Sequence, residues 1–314
     1  MVLVAVARTK KLQTVTNVFV VNLSVTDCLS SFAFLWSVLG MASTTPGYLL
    51  QSDVPCVTAA GAVFTAVGCS LYTLASIALN RYILITRSRE TFQWLYTPKK
   101  ITLMVSGSWL VPVCAIVMPP VFGVGDLGFD PESRTCSDVD THPMADAYDK
   151  VQFWVLYPLP LVVIVVSYVL IWRYMKQHFS KRRQKGVSQQ VSTLKADYSS
   201  TSKLDIDDNR HAGGFVKSVA SSQNTGSSRH LSRIKKDQLT ITKNLFVVVL
   251  TFLVCFTPIA IMVVTKSNRY MLYGALTMFL SSGINPFIYA AKHPHFKPVL
   301  RSMVWCRCST ETMA

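Results

Sequence analysis

The chain has 314 residues, 50% of them hydrophobic and only 15% charged, against about 25% charged in soluble domains. The deficit lies in long continuous apolar runs, which excludes an ordinary soluble enzyme or binding domain. The runs do not alternate, which argues against a membrane β-barrel.

In chain order, the start "MVLVAVARTKKLQTVTN" gives about seven apolar residues and then a basic loop, 8–16. Seven residues are too few to cross a bilayer, which takes about 20. Residues 1–7 are therefore read as the inner end of a first helix whose outer part is missing, as in a truncated chain. Six crossings with both ends on one side form an equally self-consistent alternative. The crossings are expected at 17–42, 54–86, 98–122, 150–178, 238–265 and 270–290.

The net charge of +15 invites a nucleic-acid reading, but its placement follows the membrane. All but four of the 31 Lys and Arg fall on one side of these crossings; the exceptions are Arg134, Lys150, Lys266 and Arg269. Basic residues mark the cytoplasmic side. The C-terminus is thus expected inside, the 123–149 loop outside, and no nucleic-acid partner is implied. Segment 179–236 is Ser-rich and polar, and reads as a disordered inner loop with serines open to phosphorylation. The outer loop holds seven acids: Asp126, Asp130, Glu132, Asp138, Asp140, Asp146 and Asp149. They either draw a cationic ligand or simply keep the loop solvated.

Of the eight cysteines, Cys56 and Cys136 fall outside, where disulfides persist. Cys306 and Cys308 fall inside, after an amphipathic stretch. Asp27, in "NLSVTD", is the acid deepest in any apolar run. A carboxylate there needs donors, a cation or a proton. Ser70, Ser281 and Asn285 are candidate partners, and the four together offer oxygens to a small hard cation such as sodium. A neutral, hydrogen-bonded Asp27 is the alternative. Prolines interrupt several runs, notably "CFTP" (255–258) and "NPFIY" (285–289). Pro258 and Pro286 are candidate hinges, with static packing as the other account.

The set "NLSVTD", Cys56, Ser70, "NRY" (80–82), Trp109, Cys136, Pro160 with Tyr168, "CFTP" and "NPFIY" followed by Phe296 resembles the rhodopsin-like G-protein-coupled receptors. The resemblance covers about residues 8–304. It implies an all-α seven-helix membrane bundle, with helices two to seven present over 17–304 and a short amphipathic helix at 292–304, ahead of an inner tail, 305–314. It further implies a Cys56–Cys136 disulfide, a sodium site at Asp27, Ser70, Ser281 and Asn285, and an Asn22–Trp109 contact. Asn80, Arg81, Tyr82, Tyr168 and Tyr289 match the cytoplasmic switch that meets a G protein. Cys306 and Cys308 become palmitoylation candidates, anchoring the tail to lipid.

Three departures stand out. Phe256 replaces the usual Trp, Asn80 replaces the usual Asp, and the usual acid on the sixth helix falls at Gln238, with Asp237 one residue off that face. The "NRY" form is similar to melatonin-like receptors, but their "NA" in the last helix is "NP" here, so no subfamily is assigned.

Transferred pocket positions are Val63, Phe64, Val67, Gln152, Phe256, Ile259, Val263 and Phe279. Val63 stands where amine receptors carry an acid, and Phe279 where opsins carry the retinal-binding lysine. The lining fits an apolar small molecule, a lipid or a hydrophobic peptide end. The expected function is a non-enzymatic plasma-membrane receptor passing an extracellular signal to a heterotrimeric G protein, without a cofactor beyond an allosteric sodium ion. The alternatives are a truncated, non-signalling receptor product, or a transporter or channel with Asp27 on its ion path.

Overall fold

The computed structural model describes residues 1–42, 52–131, 134–139, 141–177, 240–258, 261, 271–292 and 296–304. The proposed loop 179–236, Asp237, Gln238, Ile259, Val263, Cys306 and Cys308 lie outside these residues.

A short helix α1 (Val2–Arg8) and a single 3-10 turn lead into α2 (Val15–Ala42). Then come α3 (Val54–Thr86), α4 (Arg89–Leu95) and α5 (Pro98–Val121). A two-stranded hairpin, β1 (Leu127–Asp130) and β2 (Thr135–Asp138), precedes α6 (Ala145–Gln177). The described residues continue with α7 (Thr240–Pro258), α8 (Met271–Lys292) and α9 (Phe296–Val304). Helices α2, α3, α5, α6 and α7 are each long and apolar enough to cross a membrane. With α8, all six expected crossings are helical over most of their described residues.

Two compact units are present, one of 1–168 with 239–314 and one of Val169–Gln238. Within the first, α3 is the central helix. Its most apolar window is 67% buried, against 28% in α5. A helix that is apolar all round must face either core or lipid; α3 takes the core, and α5 turns Leu103, Leu110 and Val121 outward. One core cluster, with Phe19, Leu74, Ile77, Leu245 and Phe296, gathers around the Arg81 end of α3. The other, with Cys56, Ile116, Leu127, Tyr148 and Leu156, gathers around its start. Close packing between α3 and α5 depends on Gly68, where a Cβ would lie 2.9 Å from the Pro112 ring.

Helix α6 begins ahead of its apolar run, at Ala145 rather than 150. Its first turn is polar, and Asp146 there complements the helix dipole. Counting apolar residues cannot detect such a start.

Candidate functional site

At the start of α3, Cys56 and Cys136 form a disulfide, with sulfurs 1.99 Å apart. It ties β2 to α3. The hairpin is antiparallel, with Phe129 opposite Cys136 and Leu127 opposite Asp138. Beneath it, the Tyr148 hydroxyl donates to the Ile116 carbonyl at 2.7 Å. Gly125 has φ +78, and a Cβ there would lie 2.5 Å from the Tyr148 side chain. Only glycine combines that backbone with so close an approach. On β2, burial and the neighbouring Asp149 push the Asp138 carboxyl up to about 7, with Asp130 adding to the effect.

Of the transferred pocket residues, the described ones lie on α3 (Val63, Phe64, Val67), α6 (Gln152), α7 (Phe256) and α8 (Phe279). Val63 and Phe64 are half-buried, and Val67 and Gln152 are buried. The Gln152 amide nitrogen has no hydrogen-bond partner among the described residues. Phe279 stacks on Phe34 at 3.8 Å between ring centroids. Phe256 stacks on Phe252 at 5.6 Å and meets Tyr157 at 5.3 Å. Tyr157 also packs against both core clusters.

In the first third of α2, Asn22 joins three helices. Its amide nitrogen donates to Thr73 at 2.7 Å and to Ser108 at 3.3 Å, and its oxygen accepts from the Trp109 indole at 2.9 Å. One helical turn further, Asp27 accepts from the Asn285 amide at 2.9 Å, and Ser282 also reaches it. Ser281 is buried one turn before Asn285. Ser70 hydrogen-bonds Thr26, the neighbour of Asp27, at 2.8 Å. The structure thus brings Asp27 of α2 together with Asn285 and Ser282 of α8, and sets Ser70 of α3 against the residue next to Asp27.

At the far end of α3, Asn80 is fully buried and Arg81 is 3% exposed. The Asn80 oxygen accepts from Thr16 at 3.3 Å, while its amide nitrogen has no partner among the described residues. Tyr168 is the electrostatic neighbour of Arg81, and its ring packs edge-on to Phe246 at 4.9 Å. Tyr82 is half-buried against the same core. Tyr289 and Pro286 lie on α8, with side chains outside the described set.

The sequence reading missed Thr16 and Tyr96. Tyr96 follows α4, stacks on Phe92 at 4.9 Å and meets Phe19 edge-on. Its hydroxyl lies against Asn80 without reaching hydrogen-bond geometry. Burial pushes that phenol up to about 12.

The chain is a multi-helix membrane bundle with a hairpin tied by a disulfide to its central helix and a buried Asn-Arg pair at that helix's other end. Residues 1–289 match the 7 transmembrane receptors (rhodopsin family), and the chain belongs to that family. It is 23% identical to the G-protein coupled receptor moody of Drosophila melanogaster, over 97% of this chain and 48% of that protein. It is 26% identical to the GQ-coupled rhodopsin of Mizuhopecten yessoensis, over 96% of this chain and 55% of that one. The chain spans about half the length of these curated relatives. Its fold matches the crystal structure of squid rhodopsin with a TM-score of 0.71 at 17% identity, covering 99% of this chain and 83% of that one.

Proposed function

We propose that the protein is a plasma-membrane G-protein-coupled receptor, with the Arg81 end of the bundle and the C-terminus in the cytoplasm. It passes the signal of an extracellular ligand to a heterotrimeric G protein. The observation that carries this reading is the buried Asn80-Arg81 pair beside Tyr168, in a chain of this family. Ligand binding favours an arrangement in which α7 swings near Pro258, opening a groove for a helix of the G protein. No chemistry is catalysed.

The ligand is an apolar small molecule, a lipid or a hydrophobic peptide end, because the candidate lining is apolar and aromatic with one amide, Gln152. Val63 offers no carboxylate to an amine. Phe279 offers no amine for a retinal Schiff base, so the likeness to rhodopsins extends to the fold and not to the pigment. Asp27 with Asn285, Ser281 and Ser70 holds a sodium ion that stabilises the resting bundle.

Expression in cells carrying G-protein activation reporters tests the reading. A basal or ligand-induced signal that Arg81→Ala abolishes at equal surface expression is expected. Silence across all G-protein classes and broad apolar ligand panels would overturn it.

A further inference from the structure

The chain from the end of α3 through the first turn of α5 carries four basic residues, Arg87, Arg89, Lys99 and Lys100, against one acid, Glu90. Arg87, Arg89 and Lys99 are exposed. Lys100 is only half-buried, and its position is fixed twice. Its ammonium stands 3.5 Å from the centroid of the Trp94 ring, and it donates to the Trp94 carbonyl at 2.9 Å. The indole itself is 67% exposed. Trp94 therefore presents a large apolar face with a cation held on it.

The position of this pair in the fold indicates what it meets. It lies directly between the ends of two membrane-crossing helices. Lys99 precedes Leu103 by four residues, which places both on one face of α5. Leu103 is 72% exposed, and Leu110, a further two turns along, is 63% exposed. The basic patch therefore continues the outward apolar stripe of α5. Arg81, by contrast, is buried on the inward face of α3. Trp belongs at the level of lipid headgroups, where one part of the ring is apolar and the N–H is wet. Clusters of four or more Lys and Arg next to a crossing helix attract anionic lipid. The same pairing recurs in the last turns of α6, where the Lys176 ammonium is 5.4 Å from the Trp172 ring centroid.

We infer that Arg87, Arg89, Trp94, Lys99 and Lys100 form a binding site for the headgroup of an anionic phospholipid of the inner leaflet. The indole sits at the interface, and the four cations surround the phosphate. The leaflet assignment rests on the cytoplasmic placement proposed above; the lipid chemistry does not. A protein partner would need the patch to face away from lipid, and the shared face of Lys99 and Leu103 points the other way.

The full chain in nanodiscs tests this. Discs of phosphatidylcholine alone are compared with discs containing phosphatidylserine or phosphatidylinositol bisphosphate, and lipid retained on extraction is read by native mass spectrometry. Each of Arg87→Gln, Arg89→Gln, Lys99→Gln and Lys100→Gln is expected to weaken anionic-lipid retention about fivefold, and high salt to weaken it in the wild type. Lipids with brominated tails should quench a part of the tryptophan emission that Trp94→Phe removes. The inference fails if the fourfold variant retains as much anionic lipid as the wild type, or if Trp94→Phe leaves the quenched fraction unchanged. It also fails if the charge variants cut G-protein activation in lipid-free detergent while lipid retention is unaltered, since the patch would then be a protein contact. Retention with no signalling would refute the receptor function alone.

Discussion

Replacing Asn80 with Asp changes one charge at a fully buried site, and the consequence can be worked from its neighbours. The Asn80 amide nitrogen has no partner among the described residues, and an unmet buried donor costs about 1–3 kcal/mol. Asp has nearly the same shape and no such donor. Its carboxylate would accept from Thr16, which already donates to Asn80 at 3.3 Å. The Tyr96 hydroxyl, already lying against the position, becomes a second donor. Bonds to a charged acceptor are about twice as strong as neutral ones. Burying the carboxylate costs several kcal/mol, and the adjacent Arg81 offsets much of it.

A net preference of about 1–2 kcal/mol for the arrangement described here follows. That corresponds to roughly a 5- to 30-fold lower population of any competing arrangement. Basal G-protein activation without ligand, in membranes with matched receptor density, should fall by that order in Asn80→Asp. Asn80→Leu removes the unmet donor together with the Thr16 bond and adds no charge, so it should lower basal output less than Asn80→Asp does. Combining Tyr96→Phe with Asn80→Asp should restore part of the loss. Unchanged or raised basal output in Asn80→Asp would show that the residue beside Arg81 does not set the resting population.

Three further outcomes follow from the geometry. Sodium, compared with potassium at equal ionic strength, should raise the melting temperature of the purified protein, and Asp27→Asn should abolish that difference; a sodium-specific rise that survives the substitution places the ion elsewhere. At the hairpin, Asp138 holds a proton when folded that an unfolded aspartate, at about 3.9, has lost. Stability should therefore fall as pH rises from about 4 to about 7 and then level off. Asp138→Asn should flatten that slope and melt higher than the wild type at pH 8, and a wild-type slope in the variant would rule out Asp138 as its source. Gly68→Ala would place a Cβ 2.9 Å from the Pro112 ring, which is too rigid to yield. A loss of about 1–3 kcal/mol is expected, and an unchanged melting temperature would mean that α3 and α5 can separate freely.

The crossings were legible because a bilayer sets helix length, and continuous apolar runs of that length have few other uses. The disulfide and the Asn22–Trp109 contact were legible only through motif spacing, since no periodicity reports which cysteine or indole lies across the bundle. Thr16, Tyr96, Tyr148 and Tyr157 were not legible. Each is an ordinary residue by type and position, and its role comes from a partner far along the chain or on a different helix. Thr16 meets Asn80 across 64 positions, and Tyr148 meets Ile116 across 32. Ser70 shows the same limit on a smaller scale. The motif set singles it out as a partner for Asp27, but the bond it makes is to Thr26 and depends on which rotamer the close approach of α2 and α3 permits.

The two ends of α3 are built to different standards of satisfaction. Around its start, a disulfide, a hairpin and the Tyr148–Ile116 bond fix β2 and α6 against the bundle. Around Arg81, the Asn80 amide nitrogen and the Tyr96 and Tyr168 hydroxyls are buried without hydrogen-bond partners among the described residues. Each such atom costs about 1–3 kcal/mol, so this arrangement lies higher in energy than a fully bonded one. Buried polar atoms left unmet tend to mark places where strain serves function. An alternative packing that brings these hydroxyls to Arg81, or admits water to them, recovers that energy. Under the proposed function, that narrows the gap between resting and signalling arrangements at the Arg81 end, while the disulfide-tied end stays fixed. On the same proposal, basal activity should then follow the number of these atoms left unbonded at rest, because each one lowers what a shift of α7 costs.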